Sequence, residues 1–204
     1  MSHPGFTLFW RSASPFSQWH PSRFRALDPW NGPERGEVEF AHAEQYMMAA
    51  KAAHFGDRAR YEQIMATTDP RRIKQLGRAV TPFDAGEWSR VARSYVRTGN
   101  LAKFSQNPRL RGALLETGDS ILAEASPYDR VWGIGLGAEH PDARNPARWR
   151  GSNWHRRSAD GGPRGASRHG VRGGTVPLRS GQDEIAPTAQ GVSQLPALHA
   201  CNHV

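Results

Sequence analysis

The run from Ala41 to Lys51, Ala-His-Ala-Glu-Gln-Tyr-Met-Met-Ala-Ala-Lys, is apolar around nearly its whole helical circumference. At 3.6 residues per turn, Glu44, Met47, Met48 and Lys51 share one stripe, and Glu44 and Lys51 lie two turns, or roughly 10 Å, apart along the axis. Tyr46, Ala49, Ala50 and Ala52 fill much of the remainder. A helix of this kind is buried, and an acid and a base carried into a core need partners or a chemical task. Two readings stand at this point: a core helix whose Glu44 pairs with a distant arginine, or a carboxyl group held in a site.

The rest of the pattern predicts four more helices and a few short strands. Phe6 to Trp10 reads as a strand ended by the turn at Pro15, and Glu34 to Phe40 as another, with Val38 and Phe40 on one face. Between them Phe16, Trp19 and Phe24 interleave with prolines and hydroxyls, a loop with enough rings to cover a core or to stack on a planar group. Asp57 is placed to cap a helix through Met65, and Asp69-Pro70 opens a third helix that stops at Gly77. Asp84 and Glu87 form a capping-box pair for a fourth, with Trp88, Val91, Ala92 and Tyr95 inward, and Asn107-Pro108 caps a fifth that ends at Thr117-Gly118. From Ser120 the pattern returns to strand. Ile121 to Ser126, a turn through Pro127 to Arg130, and the glycine-interrupted run Val131 to Leu136 read as a hairpin or bent loop with Asp129 near its tip. The sum is an α+β fold, a predominantly helical single domain with a few short strands.

Composition changes this picture at one place. All seven Trp, eight Phe and four Tyr lie at or before Trp154. The domain is therefore assigned to residues 1–154, and residues 155–204 to a basic Gly/Pro/Arg-rich tail with the composition of disordered chains. Of the 27 basic and 19 acidic residues, 21 and 16 belong to the first 154, interspersed, and the net charge is +8. Diffuse positive charge favours an anionic partner, and suits a small phosphorylated ligand at least as well as a duplex. The single cysteine, Cys201, leaves no disulfide framework or thiolate metal site, and His42 and His54 have no third ligand at suitable spacing, so neither a metal nor a cofactor is expected. No apolar run has membrane-spanning length and the first residues lack a signal-peptide pattern, so a cytoplasmic protein with no membrane partner is expected.

Several separated motifs then agree in kind and order. Ser14-Pro-Phe-Ser with Trp19-His-Pro21, Ala43-Glu-Gln-Tyr-Met-Met-Ala-Ala-Lys51 with Phe55-Gly-Asp57, Leu76-Gly-Arg78, Lys103-Phe with Gln106-Asn107, Thr117-Gly118, Glu124-Ala-Ser-Pro-Tyr-Asp129 and Trp132-Gly-Ile-Gly-Leu136 resemble YbiA-like proteins, the NADAR superfamily, over about Phe6 to Trp154. The resemblance implies a hydrolase of N-glycosyl compounds that cleaves the ribose-to-base C–N bond of phosphorylated ribosylaminopyrimidine intermediates of riboflavin biosynthesis. Its alternatives are an ADP-ribosyl hydrolase acting on ADP-ribosylated guanine in nucleic acid, and a non-catalytic module that binds ADP-ribose or a related nucleotide.

Such a reaction builds oxocarbenium character on the sugar, which asks for carboxylates near the anomeric carbon and its water. On the family motifs Glu44 and Asp129 are the catalytic pair, Glu44 as acid/base and Asp129 orienting water or stabilising the cation, with the roles open to exchange. Lys51, Arg78 and Lys103 are the candidates for phosphate. Trp88 and Trp132 are candidates for stacking on the base, Asn107 for the ribose hydroxyls or for capping its helix, and Asn153, in Trp149-Arg-Gly-Ser-Asn153, completes the substrate-binding set. After Trp154 the chain departs from the family, which continues into a terminal helix. Either the tail is a genuine basic segment that touches nucleic acid, or it is an out-of-frame translation that replaces the helix and impairs activity.

Overall fold

The central helix α1 (Ala43–His54) is buried without interruption from Ala43 to Ala52. Its N-cap is His42, in extended conformation, whose Nδ1 accepts the Gln45 N–H at 3.2 Å. The Gln45 amide donates to the Ile64 and Thr67 carbonyls, and its oxygen accepts the Ala41 N–H, so a polar side chain inside the core is fully used. Three helices pack on this one: α2 (Arg58–Met65), α3 (Pro70–Arg78) and the 22-residue α4 (Ala85–Gln106).

Small residues permit that crowding. A Cβ on Gly77 would lie 1.9 Å from Met48 Sδ, and one on Gly99 would lie 2.7 Å from Tyr46 Cδ1. Gly77 is therefore a contact residue inside α3 and does not end it, since the helix continues to Arg78 with its cap at Ala79. Asp57, Asp69 and Asp84 each accept a backbone N–H at the start of α2, α3 and α4, as the sequence predicts. The Glu87 carboxylate does not close the capping box; it meets His54 Nε2 at 2.9 Å, and His54 Nδ1 lies 3.3 Å from the Tyr95 hydroxyl.

The computed structural model describes residues 5–154. The proposed tail and both readings of it lie outside the described residues. Two small sheets complete the architecture. Strand β2 (Phe24–Asp28) pairs antiparallel with β3 (Gly32–Phe40), and β1 (Phe6–Phe9) pairs in parallel with β4 (Ile121–Glu124), Phe9 opposite Glu124. A last helix, α5 (Pro108–Glu116), joins α4 to β4.

Of the two forms expected after Ser120, the hairpin is corrected and the bent loop stands: β4 takes the N-terminal strand as its partner, and Val131 to Leu136 forms no strand. That segment touches the end of β4 through Ile134 N–H on Glu124 O at 2.9 Å and otherwise lies against residues 150–154. Arg150 and Gly151 donate to Ile134 O at 2.9 Å, Ser152 to Arg130 O at 2.8 Å and Asn153 to Gly133 O at 3.1 Å. A Cβ on Gly151 would sit 2.3 Å from Gly133 O, so the glycines allow two backbones to touch. Among the described residues no helix is long and apolar enough to cross a membrane.

Candidate functional site

Glu44 occupies the first turn of α1, beneath the aromatic loop. Tight turns close this loop, with Ser17 N–H on Ser14 O and His20 N–H on Ser17 O, both at 3.1 Å. Lys103 of α4, with 0% exposure, fixes it from below by donating to Pro15 O at 2.7 Å and to Ser17 O at 2.9 Å. The loop then grips α1 directly: Gln18 O accepts the Glu44 N–H at 2.9 Å, the Gln18 amide donates to Asn100 Oδ1 at 3.0 Å, and the Trp19 side chain hydrogen-bonds the Glu44 carboxyl group. The loop is thus both core cover and a wall of the site.

A second acid comes from the end of β4. Glu124 is its last residue, and its N–H meets Asn153 Oδ1 at 3.3 Å while the Asn153 amide donates to Leu122 O at 3.2 Å. Ser126 then turns the chain by accepting the N–H groups of Tyr128 and Asp129 on its hydroxyl, at 3.3 and 3.2 Å. Asp129 repeats the device, its Oδ1 accepting Val131 N–H at 2.9 Å and Trp132 N–H at 2.8 Å. One carboxylate oxygen is held by two backbone N–H groups, which keeps the side chain aimed.

Glu44, Glu124 and Asp129 act on one another electrostatically, and Lys74 acts on both glutamates. Burial, at 4% exposure, is the largest influence on Glu44; Asp129 adds to it, Lys74, the Trp19 bond and Arg78 oppose it, and the carboxyl group is pushed up to about 7. Glu124 is also raised to about 7, first by burial and then by Asp129 and Glu44, against the pull of Lys74. Lys74 and Arg78 are four apart on α3 and so share a face, and the Lys74 ammonium lies 5.6 Å from the Trp19 ring centroid. The result is a pair of carboxyl groups that exchange protons near neutrality, an ordered carboxylate, and two cations on one helix face. Among the described residues no group of three or more His, Cys, Asp or Glu could hold a metal ion.

The sequence-derived set divides accordingly. Glu44, Asp129 and Arg78 come together. Asn153 supports Glu124 from behind and, at 1% exposure, serves as a brace. Lys51, two turns along α1, donates to Gly77 O at 2.8 Å and sits 3.8 Å from the Phe83 ring centroid, its pKa lowered by burial. Lys103 is occupied with the Pro15 and Ser17 carbonyls. Trp88 stacks on Tyr95 at 5.9 Å and packs beside Phe55 and His54. Trp132 meets Trp154 edge to face at 5.1 Å. Asn107 stands at the start of α5 without making the expected cap bond; its amide donates to Lys103 O at 2.8 Å and to Arg23 O at 3.0 Å.

Three participants, Lys74, Glu124 and Trp19, are absent from that set. The i,i+4 pairing of Lys74 with Arg78 was the available signal for the first. Glu124 and Trp19 lie inside quoted motifs, but only the pairing of β1 with β4 and the fold of the loop bring them to Glu44.

The NADAR domain model matches residues 8–155. N-glycosidase R617 of Acanthamoeba polyphaga mimivirus is 44% identical over 138 residues, which cover 68% of this chain and 79% of that protein. Protein irg-1 of Caenorhabditis elegans is 38% identical over 156 residues, covering 73% of this chain and 74% of its own. The solution structure of Escherichia coli YbiA superposes with a TM-score of 0.54 at 23% identity, over 68% of this chain and 76% of that one, a likeness of fold.

Proposed function

The chain belongs to the NADAR domain family, and from that premise we propose that it is an N-glycosidase that hydrolyses the ribose-to-base bond of a phosphorylated ribosylaminopyrimidine, the kind of intermediate formed early in riboflavin biosynthesis. The observation that carries the reading is the meeting of Glu44, Glu124 and Asp129 beside Lys74 and Arg78. The name of the mimiviral relative, N-glycosidase, supports the reaction class.

In this reaction the C1′–N bond breaks with its electron pair going to the base, water supplies the hydroxyl to C1′, and a proton goes to the leaving nitrogen. A glutamic acid half-protonated near pH 7 is matched to give or take that proton, and Glu44 has this role. Asp129, aimed by two backbone N–H groups, faces the positive charge that develops on the ribose or orients the attacking water. Lys74 and Arg78 receive the 5′-phosphate, where two cations one helical turn apart offer several donors to one dianion. The products are ribose 5-phosphate and the free aminopyrimidine.

Glu44→Gln tests the assignment. It should lower release of ribose 5-phosphate by roughly 10²- to 10⁴-fold while substrate binding persists, and undiminished turnover would overturn it. Removal of ADP-ribose from guanine in nucleic acid is the second reading. It is favoured by Arg90, Arg93 and Arg97, all exposed along α4, and release of ADP-ribose from a modified oligonucleotide, with no release of ribose 5-phosphate, would select it.

A further inference from the structure

Beside the acids lies an aromatic pair that the chemistry above does not use. Trp10 follows β1 directly, and because Ala125 N–H donates to Phe9 O at 2.8 Å, Trp10 sits next to the end of β4 where Glu124 lies. Tyr128 is the chain neighbour of Asp129, and its ring packs on Trp10 with centroids 6.3 Å apart and planes inclined at 45°. Tyr128 is nevertheless 86% exposed, and Val131, on the far side of Asp129, is 48% exposed. A tyrosine steadied by one contact and otherwise bare presents an open π-face within one residue of a proposed catalytic carboxylate.

A third component is Arg11, whose guanidinium carbon lies 4.5 Å from the Trp10 ring centroid. Its backbone adopts φ 64°, a left-handed conformation uncommon outside glycine, in a turn closed by Ser14 N–H on Arg11 O at 3.2 Å. Local strain of this kind is retained where the surrounding structure demands it. The two tryptophans that the sequence suggests as base stackers are already engaged, Trp88 with Tyr95 and Trp132 with Trp154.

We infer that Trp10, Arg11 and Tyr128 form the subsite for the heterocycle of the substrate, with the base stacked on Tyr128 so that its ribose carbon lies toward the acids. The inference rests on the N-glycosidase reading and adds the residues that recognise the leaving group. Every pyrimidine has a π-face for the phenol ring, and a guanidinium beside it suits an electron-rich, carbonyl-bearing ring.

The test is calorimetric binding by the full chain carrying Glu44→Gln, with a ribosylaminopyrimidine 5′-phosphate and, separately, with ribose 5-phosphate, which lacks the ring. Tyr128→Ala in that background should weaken the first ligand about tenfold or more and leave the second unchanged, and Tyr128→Phe should restore it. Equal weakening of both ligands, no weakening of either, or no binding of the ring-bearing ligand before Tyr128 is changed overturns the inference. The readout is independent of turnover. Ring-selective binding together with no hydrolysis by the chain that retains Glu44 would refute the glycosidase and keep the platform, whereas hydrolysis by that chain with an unchanged dissociation constant in Tyr128→Ala would do the reverse.

Discussion

A buried acid with a raised pKa makes a stability prediction that is separate from catalysis. Glu44 moves from the ordinary 4.5 to about 7 on folding, and at 1.36 kcal/mol per unit this amounts to about 3 kcal/mol between its two protonation states. Below about pH 4 the carboxyl group is protonated in both folded and unfolded chains and has no linkage effect. Between 4.5 and 7 the unfolded chain gives up the proton while the folded chain keeps it, so stability falls as pH rises and the full loss is reached above about 7.

A glutamine in place of Glu44 has no proton to lose and carries no such penalty. Relative to the unmodified chain, Glu44→Gln should gain about 3 kcal/mol on going from about pH 4 to about pH 8.5. Relief of the repulsion that Glu44 exerts on Glu124 acts in the same direction. In urea titrations the gain is a shift in midpoint on the order of 1–3 M, since slopes for small domains run about 1–3 kcal/mol per molar. Parallel stability curves for the two chains across this range would refute the argument, whatever became of turnover. Stabilisation together with lost turnover would mean that the acid is retained against its own folding energy, for use.

Three further outcomes follow from contacts described above. Lys74→Gln should raise KM for a 5′-phosphorylated substrate by about tenfold and leave that for the dephosphorylated nucleoside nearly unchanged, because only the former brings an anion to α3; steady-state kinetics on the two substrates checks this. Lys103→Met strands the Pro15 and Ser17 carbonyls, each at about 1–3 kcal/mol, so the melting temperature should fall by several degrees, with a second effect of slower turnover as Trp19 loses its seat. Gly77→Ala drives a methyl group into Met48, 1.9 Å from its sulfur. It should destabilise by about 1–3 kcal/mol, and Met48→Ala in the same chain should return part of that in chemical denaturation.

The helical half of the molecule was legible because its signals are local. A helix apolar on all sides had to be central, and Asp57, Asp69 and Asp84 marked helix starts with a side chain that accepts a backbone N–H two or three residues on. Strand β2 was hidden by inverted polarity: Leu27 is 54% exposed, whereas Asp28 is buried and accepts Tyr61 Oη at 2.6 Å. A period-two reading of hydrophobicity fails on such a strand. The pairing of β1 with β4 joins segments more than a hundred residues apart in sequence, beyond the reach of any periodicity, and Glu124 was overlooked with it. Glu44 and Asp129 were proposed on residue type and motif, and the structure brings them within electrostatic reach of each other. Lys51 and Lys103 were singled out because a charge inside a motif reads as a ligand contact, whereas the carbonyls to which they donate belong to segments distant in sequence.

The parallel pairing of β1 with β4 has a consequence for how the molecule is made. A ribosome releases Phe6 first and Glu44 soon after, but the strand that aligns with Phe6 begins only at Ile121, and the amide that braces Glu124 is Asn153. Throughout most of synthesis the nascent chain exposes Glu44 to water, where it has the acidity of an ordinary glutamate. The arrangement of acids is therefore completed late, when β4 and the turn that carries Asp129 close on residues that were translated first, so a chain stopped short of Asp129 would contain Glu44 and lack one of the charges that raise it.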